Sequence, residues 1–433
     1  MKLLRFLRQI MGFRDLVEGS LVLDDPVSVN YEFRDKSLAL ENGPILFNNV
    51  IETPGHRVAI NCLTRARLCE EFNVSPGELI DILAWAMENP SQPSQIELED
   101  APVMENTMSE VDIEKIPIPW HYREDGGRYQ SASMIVAQYG EQRNTSFHRQ
   151  LVRGKRKTSV RLVPRHLRTM MDKADESGDE IHIAVVNGAD PVFLLAGAMS
   201  FDEPLDEILV ASALHERLYG TQLRVIELSN GVLAPADSEY VMEARITSMK
   251  EEEGPYVDIT GTVDDIRIEP VILYDAVHHR DSPIFHALIP AGVEHMTLMG
   301  MPRAPTIKNA VSEVVDCTDV YLTEGGSGWL SSVVQISPKI QGDGMKAIQA
   351  ALNGHKSMKQ VIVVDEDIDV TDSTRVEWAL MTRWQPDKDT LILSNQKGSS
   401  LDPSRSSDGT TSKIGMDATI DPGIDKSPFE SVL

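Results

Sequence analysis

The stretch from residue 116 to residue 277 constrains the fold most. It strings together short β-like runs at 133–138, 159–163, 181–186, 240–248 and 271–277, with helical patterns only at 166–177 and 205–219. Strands that outnumber helices in this way do not build the alternating strand–helix rhythm of a parallel sheet. They predict a barrel-like β domain carrying inserted helices. Its entrance is marked by Ile116-Pro117-Ile118-Pro119-Trp120, held extended by its prolines, and by the turn signal Asp125-Gly126-Gly127.

The flanks have a different texture. Ser75-Pro76-Gly77-Glu78 is a capping box with Pro at the first helical position; it launches an apolar helix that Asn89-Pro90 stops. The polar stretch 90–100 is a boundary signal. After residue 292 an α/β rhythm returns, with helices expected at 344–352 and 373–382 and strands at 360–364 and 390–393. The last forty residues, rich in Ser, Gly, Asp and Pro, have the composition of a disordered tail. The expected division is an α/β domain over 1–105, the β domain over 106–291 and a second α/β domain over 292–433. A chain of 433 residues is long enough for two or three such units.

Composition excludes several functions. The formal charge of −26 opposes nucleic-acid binding and adsorption to anionic membranes, so an anionic ligand needs a local basic pocket. Cys62, Cys69 and Cys317 form neither a disulfide framework nor a CxxC metal pattern. The start, MKLLRFLRQI, is broken by arginines; an amphipathic helix is expected there rather than a signal peptide. No apolar stretch approaches the roughly 20 residues of a membrane span. A soluble, cytoplasmic protein is expected.

Four clusters could carry chemistry. Asn144-Thr145-Ser146-Phe147-His148-Arg149 precedes the cations Arg153, Lys155, Arg156, Lys157 and Arg161, a run suited either to an anion site or to a solvated strand face. Pro164-Arg165-His166 opens a helix whose free amides favour an anion; His166 could serve as a cap or as a metal ligand. Glu253-Gly254-Pro255-Tyr256-Val257-Asp258 puts two carboxylates on one tight turn, an acidic loop or an acid–base pair. Ser412-Lys413-Ile414-Gly415-Met416-Asp417-Ala418-Thr419 reads either as a flexible terminus or as a lysine poised to close over a phosphate.

In this order and with these gaps, the clusters, together with Gly188-Ala189-Asp190-Pro191, resemble the UbiD decarboxylase family from about residue 116 to residue 419. The resemblance implies a split β-barrel that binds prenylated FMN, flanked by an N-terminal α/β domain and a C-terminal α/β domain used in oligomerisation. It also implies a divalent metal, Mn²⁺ or Mg²⁺, bridging protein and cofactor phosphate, often beside K⁺. Asn144, His166 and Glu207 match metal ligands, hard donors for such an ion. Phe147, His148, Arg149, Arg161, Leu162, Val163, Arg165, His166 and Lys413 match cofactor contacts. Glu253, Arg149 and Asp258 match the catalytic set: Arg149 positions the substrate carboxylate, and Asp258 delivers a proton after an α,β-unsaturated acid loses carbon dioxide through a cycloadduct with the flavin.

Val257, His148 and Arg165 depart from residues common in the family, and the added cation Arg165 suits a phosphorylated substrate. Length and short loops resemble the archaeal branch, whose members convert trans-anhydromevalonate 5-phosphate to isopentenyl phosphate in a mevalonate pathway. The resemblance further implies a flavin prenyltransferase as cofactor supplier and a homo-oligomer, dimer or hexamer. An aromatic or polyprenyl hydroxybenzoate-type acid is the competing substrate class. A non-catalytic flavin-binding protein is the competing function. No HExxH-like pattern supports a metal hydrolase.

Overall fold

A computed structural model describes residues 12–199 and 205–429; the helix expected at 1–10 lies outside them. The chain forms two compact units. One comprises Met1–Asn73 and Ala86–His295, the other Val74–Trp85 and Met296–Leu433.

The first unit is built on a curled, antiparallel half-barrel. Its strands follow the order Tyr129–Gln130, Gln150–Val152, Lys157–Val160, Arg267–His279, Tyr240–Glu253, Ile181–Asn187, Met134–Tyr139 and Gln142–Phe147. Asn106–Thr107 adds to Arg267–His279. The long central pair Tyr240–Glu253 and Arg267–His279 carries two register shifts, one at Glu243/Ala244 and one at Thr247/Lys250. Such bulges bend a sheet and sharpen its twist, which lets it curl.

The helix His166–Ser177 buries Leu167, Met170, Met171 and Ala174, the three-and-four spacing of one face, and ends on Gly178 at φ 75°. Ile135, Ile183, Met242 and Ile272 line the same core. A second, four-stranded sheet orders Leu21–Leu23, Ile45–Phe47, Arg57–Ile60 and Ile284–His286, so the chain returns to its N-terminal sheet after completing the half-barrel.

In the second unit the capping box forms as read: Ser75 N donates to Glu78 Oε2 (2.8 Å) and Glu78 N to Ser75 Oγ (3.3 Å), opening the helix Pro76–Glu88. A five-stranded sheet runs Asp316–Leu322, Ser331–Ser337, Gln360–Asp365, Thr410–Ala418, Thr390–Lys397. The strand Thr410–Ala418 corrects the composition-based reading of a disordered tail: it is an inner strand, parallel to Gln360–Asp365. Packing explains it. A Cβ on Gly415 would sit 2.1 Å from Ile348 of the helix Asp343–Gly354, so glycine there lets helix and strand close together. Cys62, Cys69 and Cys317 are free thiols. Among the described residues no helix is long and apolar enough to cross a membrane.

Candidate active site

The end of the strand Gln142–Phe147 feeds Arg149 into the interior of the half-barrel unit, where carboxylates surround it. Arg149 Nε and Nη2 donate to the two oxygens of Glu253, each at 2.9 Å. Nη1 donates to Asp258 Oδ2 at 2.9 Å, and Nη2 also to Asp264 Oδ2 at 2.8 Å. The guanidinium lies 4.6 Å from the centre of the Tyr256 ring. The expected trio Glu253–Arg149–Asp258 is therefore one hydrogen-bonded unit. Burial opposes the Arg149 charge, but the hydrogen bonds and charge of Glu253, then the charge of Asp258, outweigh it and hold the group above its ordinary range.

Glu253 is fully buried and also accepts from Tyr129 Oη at 3.2 Å. Asp258 Oδ1 accepts from Ile259 N at 2.7 Å, so both of its oxygens are engaged as acceptors.

Sequence reasoning missed part of this centre. Asp264 is a third carboxylate on Arg149, itself gripped by Arg267 Nη1 (2.6 Å) and Nη2 (2.7 Å). Asp125 accepts from Val257 N (2.8 Å) and Tyr122 N (3.2 Å), tying the 120s turn to the loop that carries Asp258. Gly126 fits against that loop because a Cβ would lie 2.6 Å from the Gly254 carbonyl oxygen. The signal was present in Asp125-Gly126-Gly127, which the turn reading absorbed.

Burial pushes the Asp125 carboxyl up to about 6 despite the two amides it accepts. Folding therefore favours its protonated form, the reverse of the usual aspartate case. The stabilisation is present at low pH and is lost as pH rises from about 4 to about 6. Asp125→Asn cannot ionise but keeps an acceptor for only one of the two N–H groups, so whatever its offset at pH 4, its stability relative to the wild type is expected to rise by about 2 kcal/mol across that window. Thermal melts from pH 4 to 7 check this; a difference that does not grow with pH contradicts it.

A second centre forms beside the strand Gln142–Phe147. The helix Glu207–Tyr219 is capped by Asp206, whose side chain accepts from Ile208 N, and this fixes Glu207 in the first turn. Glu207 Oε1 accepts from Asn144 Nδ2 (2.9 Å) and Oε2 from Thr145 N (2.7 Å), with Glu207 and Asn144 both buried. Ser146 Oγ donates to Asn144 Oδ1 (2.9 Å) and lies 2.8 Å from His148 Nε2, while His148 Nδ1 donates to the Arg161 carbonyl at 3.0 Å. Burial pushes Glu207 up to about 8 and His148 down to about 4. Among the described residues no Lys or Arg side chain pairs with Glu207, and a divalent cation would balance its charge among these oxygen donors.

Among the described residues no group of three or more His, Cys, Asp and Glu side chains forms a metal cage, so Asn144 and Glu207 stand as a pair. His166 sits half-buried in the first turn of its helix and, among the described residues, makes no hydrogen bond to either.

The remaining candidates divide by environment. Arg161 pairs with buried Glu269, which Arg168 also approaches at 3.5 Å. Leu162 is buried, whereas Val163 and Arg165 are exposed and Phe147 is half-buried. In the basic run, Lys155, Arg156 and Lys157 meet Asp112, Asp275 and Glu251. These three are paired surface cations. In the second unit, buried Lys413 donates to the Lys356 carbonyl.

Residues 94–293 match the family described as the 3-octaprenyl-4-hydroxybenzoate carboxy-lyase Rift-related domain, and residues 296–418 match its C-terminal domain. The chain belongs to the UbiD family. It is 40% identical over 433 residues to the anhydromevalonate phosphate decarboxylase of Methanosarcina mazei, covering 98% of this chain and 99% of the relative. The corresponding enzyme of Methanothermobacter thermautotrophicus is 39% identical over 406 residues, covering 93% and 94%. The structure of the UbiD-class enzyme HmfF from Pelotomaculum thermopropionicum in complex with FMN superposes with a TM-score of 0.91 at 31% identity, covering 97% of each chain. An evolved dimeric form of that enzyme, in complex with prFMN, gives 0.87 at 29% identity, covering 98% of this chain and 99% of that one. Membership makes this chain a carboxy-lyase of the prenylated-FMN-dependent class.

Proposed function

We propose that this protein decarboxylates trans-anhydromevalonate 5-phosphate to isopentenyl phosphate. The observation that carries the reading is the near full-length identity to anhydromevalonate phosphate decarboxylases. The hydrogen-bonded Glu253–Arg149–Asp258 unit supports it, because a protein that only binds flavin has no need of all three.

Arg149 has five N–H groups. Glu253 takes two, Asp264 one and Asp258 one, leaving a single Nη1 hydrogen for a substrate carboxylate. A carboxylate bound there shares Nη1 with Asp258, which lies beside it. In this reading Asp258 takes up a proton from solvent and hands it to the α-carbon once carbon dioxide has left. Glu253 keeps Arg149 in place from the buried side. When bound, prenylated FMN supplies the electron sink that an sp² carbanion lacks.

Asn144 and Glu207 would hold the Mn²⁺ or Mg²⁺ that tethers the cofactor phosphate, with His166 as a further ligand. Phe147, His148, Arg161, Leu162, Val163 and Arg165 would line the cofactor. A flavin prenyltransferase would supply it, and the protein would act as a dimer or hexamer in the cytoplasm. The test is carbon dioxide release by the flavin-loaded protein. Release from trans-anhydromevalonate 5-phosphate and not from 4-hydroxybenzoate is expected; the opposite preference would overturn the substrate.

A further inference from the structure

The proposed substrate has two anionic ends, and the Arg149 cluster accounts for only the carboxylate. A site for the phosphate end rests on that reading of the substrate. In the first unit, a cavity of about 200 Å³ opens between the helix Glu32–Ala39 and the segment that leads into Asp125. Tyr31, Arg34, His121, Tyr122 and Arg123 line it, with the acids Asp35 and Glu124 beside them.

The two arginines are held crosswise. The Arg34 guanidinium lies 4.6 Å from the centre of the Tyr122 ring, and that of Arg123 lies 4.9 Å from the centre of the Tyr31 ring. Each segment thus stacks its cation on the other's aromatic ring, which fixes both forks while leaving most of their N–H donors for a ligand. Carboxylates do not quench them. The contact of Arg34 with Asp35 is 3.4 Å, and the Asp35 side chain is 63% exposed, a weak pair. Among the described residues Arg123 makes no ion pair. In a chain of net charge −26, two guanidiniums left for a ligand are a departure that needs a reason.

The back of the cavity gives a second, independent sign. His121 is 3% exposed; it nears the Leu288 backbone, yet neither ring nitrogen has a hydrogen-bond partner of good geometry. An unpaired buried N–H costs on the order of 1–3 kcal/mol, and an acceptor oxygen in the cavity would remove that cost. The helix Glu32–Ala39 adds amides at its first turn, where Tyr31 gives no side-chain cap.

The cavity is also coupled to the chemistry. Tyr122 N and Val257 N share the carboxylate of Asp125, and Val257 immediately precedes Asp258. Tyr122 Oη anchors the same segment to the Pro290 carbonyl at 2.7 Å. We propose that Arg34 and Arg123, with His121 behind them, form the subsite that binds the phosphate monoester of the substrate. Its carboxylate would lie at Arg149, and its specificity over unphosphorylated acids would come from here.

The test uses the flavin-loaded wild type, Arg34→Ala, Arg123→Ala and the double variant, with inorganic phosphate as the probe. In the wild type, inorganic phosphate competes with the phosphorylated acid. In the double variant, KM and the inhibition constant for phosphate both rise at least about tenfold while kcat changes far less, as for a remote group bound equally in ground and transition states. Arg34→Lys is expected to restore part of the loss. Unchanged KM and unchanged phosphate inhibition in the double variant would overturn the subsite. If the wild type releases no carbon dioxide from the phosphorylated acid, the substrate reading fails by itself. Direct titration with inorganic phosphate then decides the subsite: arginine-dependent binding supports it, and arginine-independent or absent binding overturns it.

Discussion

Asp258→Asn is expected to leave the flavin content unchanged and to lower kcat by about 10²–10⁴-fold, the range a positioned general acid contributes. The substitution removes the carboxyl proposed as the proton donor while sparing the scaffold. Arg149 keeps its two bonds to Glu253 and its bond to Asp264. The loop keeps the backbone bond from Asp258 N to the Thr262 carbonyl (3.0 Å) and the Asp125 anchor on Val257 N. Steady-state rates on protein of measured flavin content check it. Full activity would remove Asp258 from the proton-donor role, and loss of flavin would move its role to binding.

Glu207→Gln is expected to abolish cation-dependent flavin retention, with divalent-metal affinity falling at least about 10–100-fold. The amide is nearly isosteric, so its oxygen still accepts from Thr145 N, as Glu207 Oε2 does at 2.7 Å. What disappears is the negative charge, and the Asn144 amide must turn over so that its oxygen, not its Nδ2, meets the new NH2 group. Burial already holds that carboxyl up at about 8, so the neutral replacement relieves a desolvation cost when no cation is present. The metal-free variant is therefore expected to melt no lower than the metal-free wild type. Manganese and flavin content after dialysis, set beside the two melting curves, separates a lost ligand from a damaged fold. Wild-type flavin retention in Glu207→Gln would remove this residue from the cation site.

Much of the fold was legible because periodicity reports burial. The helix His166–Ser177 and the strands near 181–186 and 271–277 formed where apolar spacing put them, since each presents one face to a single core. The strand Gln142–Phe147 was not legible: Gln142-Arg143-Asn144-Thr145 carries no apolar alternation, its inward side being polar because it builds the Asn144–Glu207 centre. The strand Thr410–Ala418 hid for a different reason. Gly415 and small polar neighbours read as disorder, yet they suit an inner strand pressed against a helix.

At the site, Glu253, Arg149 and Asp258 emerged from spacing together with the family resemblance. Asp264 did not, because contact across the turn between Tyr256–Val257 and Val263–Asp264 is a product of strand pairing that no local motif announces. The cavity beside Arg34 was equally silent, since its two halves lie some ninety residues apart and are joined by tertiary contacts, the Asn30–Trp120 bridge and the two arginine–tyrosine stacks among them.

The most direct test of the central claim needs no substrate. Protein produced alongside a flavin prenyltransferase and supplied with Mn²⁺ is purified and examined by mass and visible absorbance. Retention of prenylated flavin and manganese together is the predicted result. Protein that leaves both in solution under those conditions contradicts the account at its root.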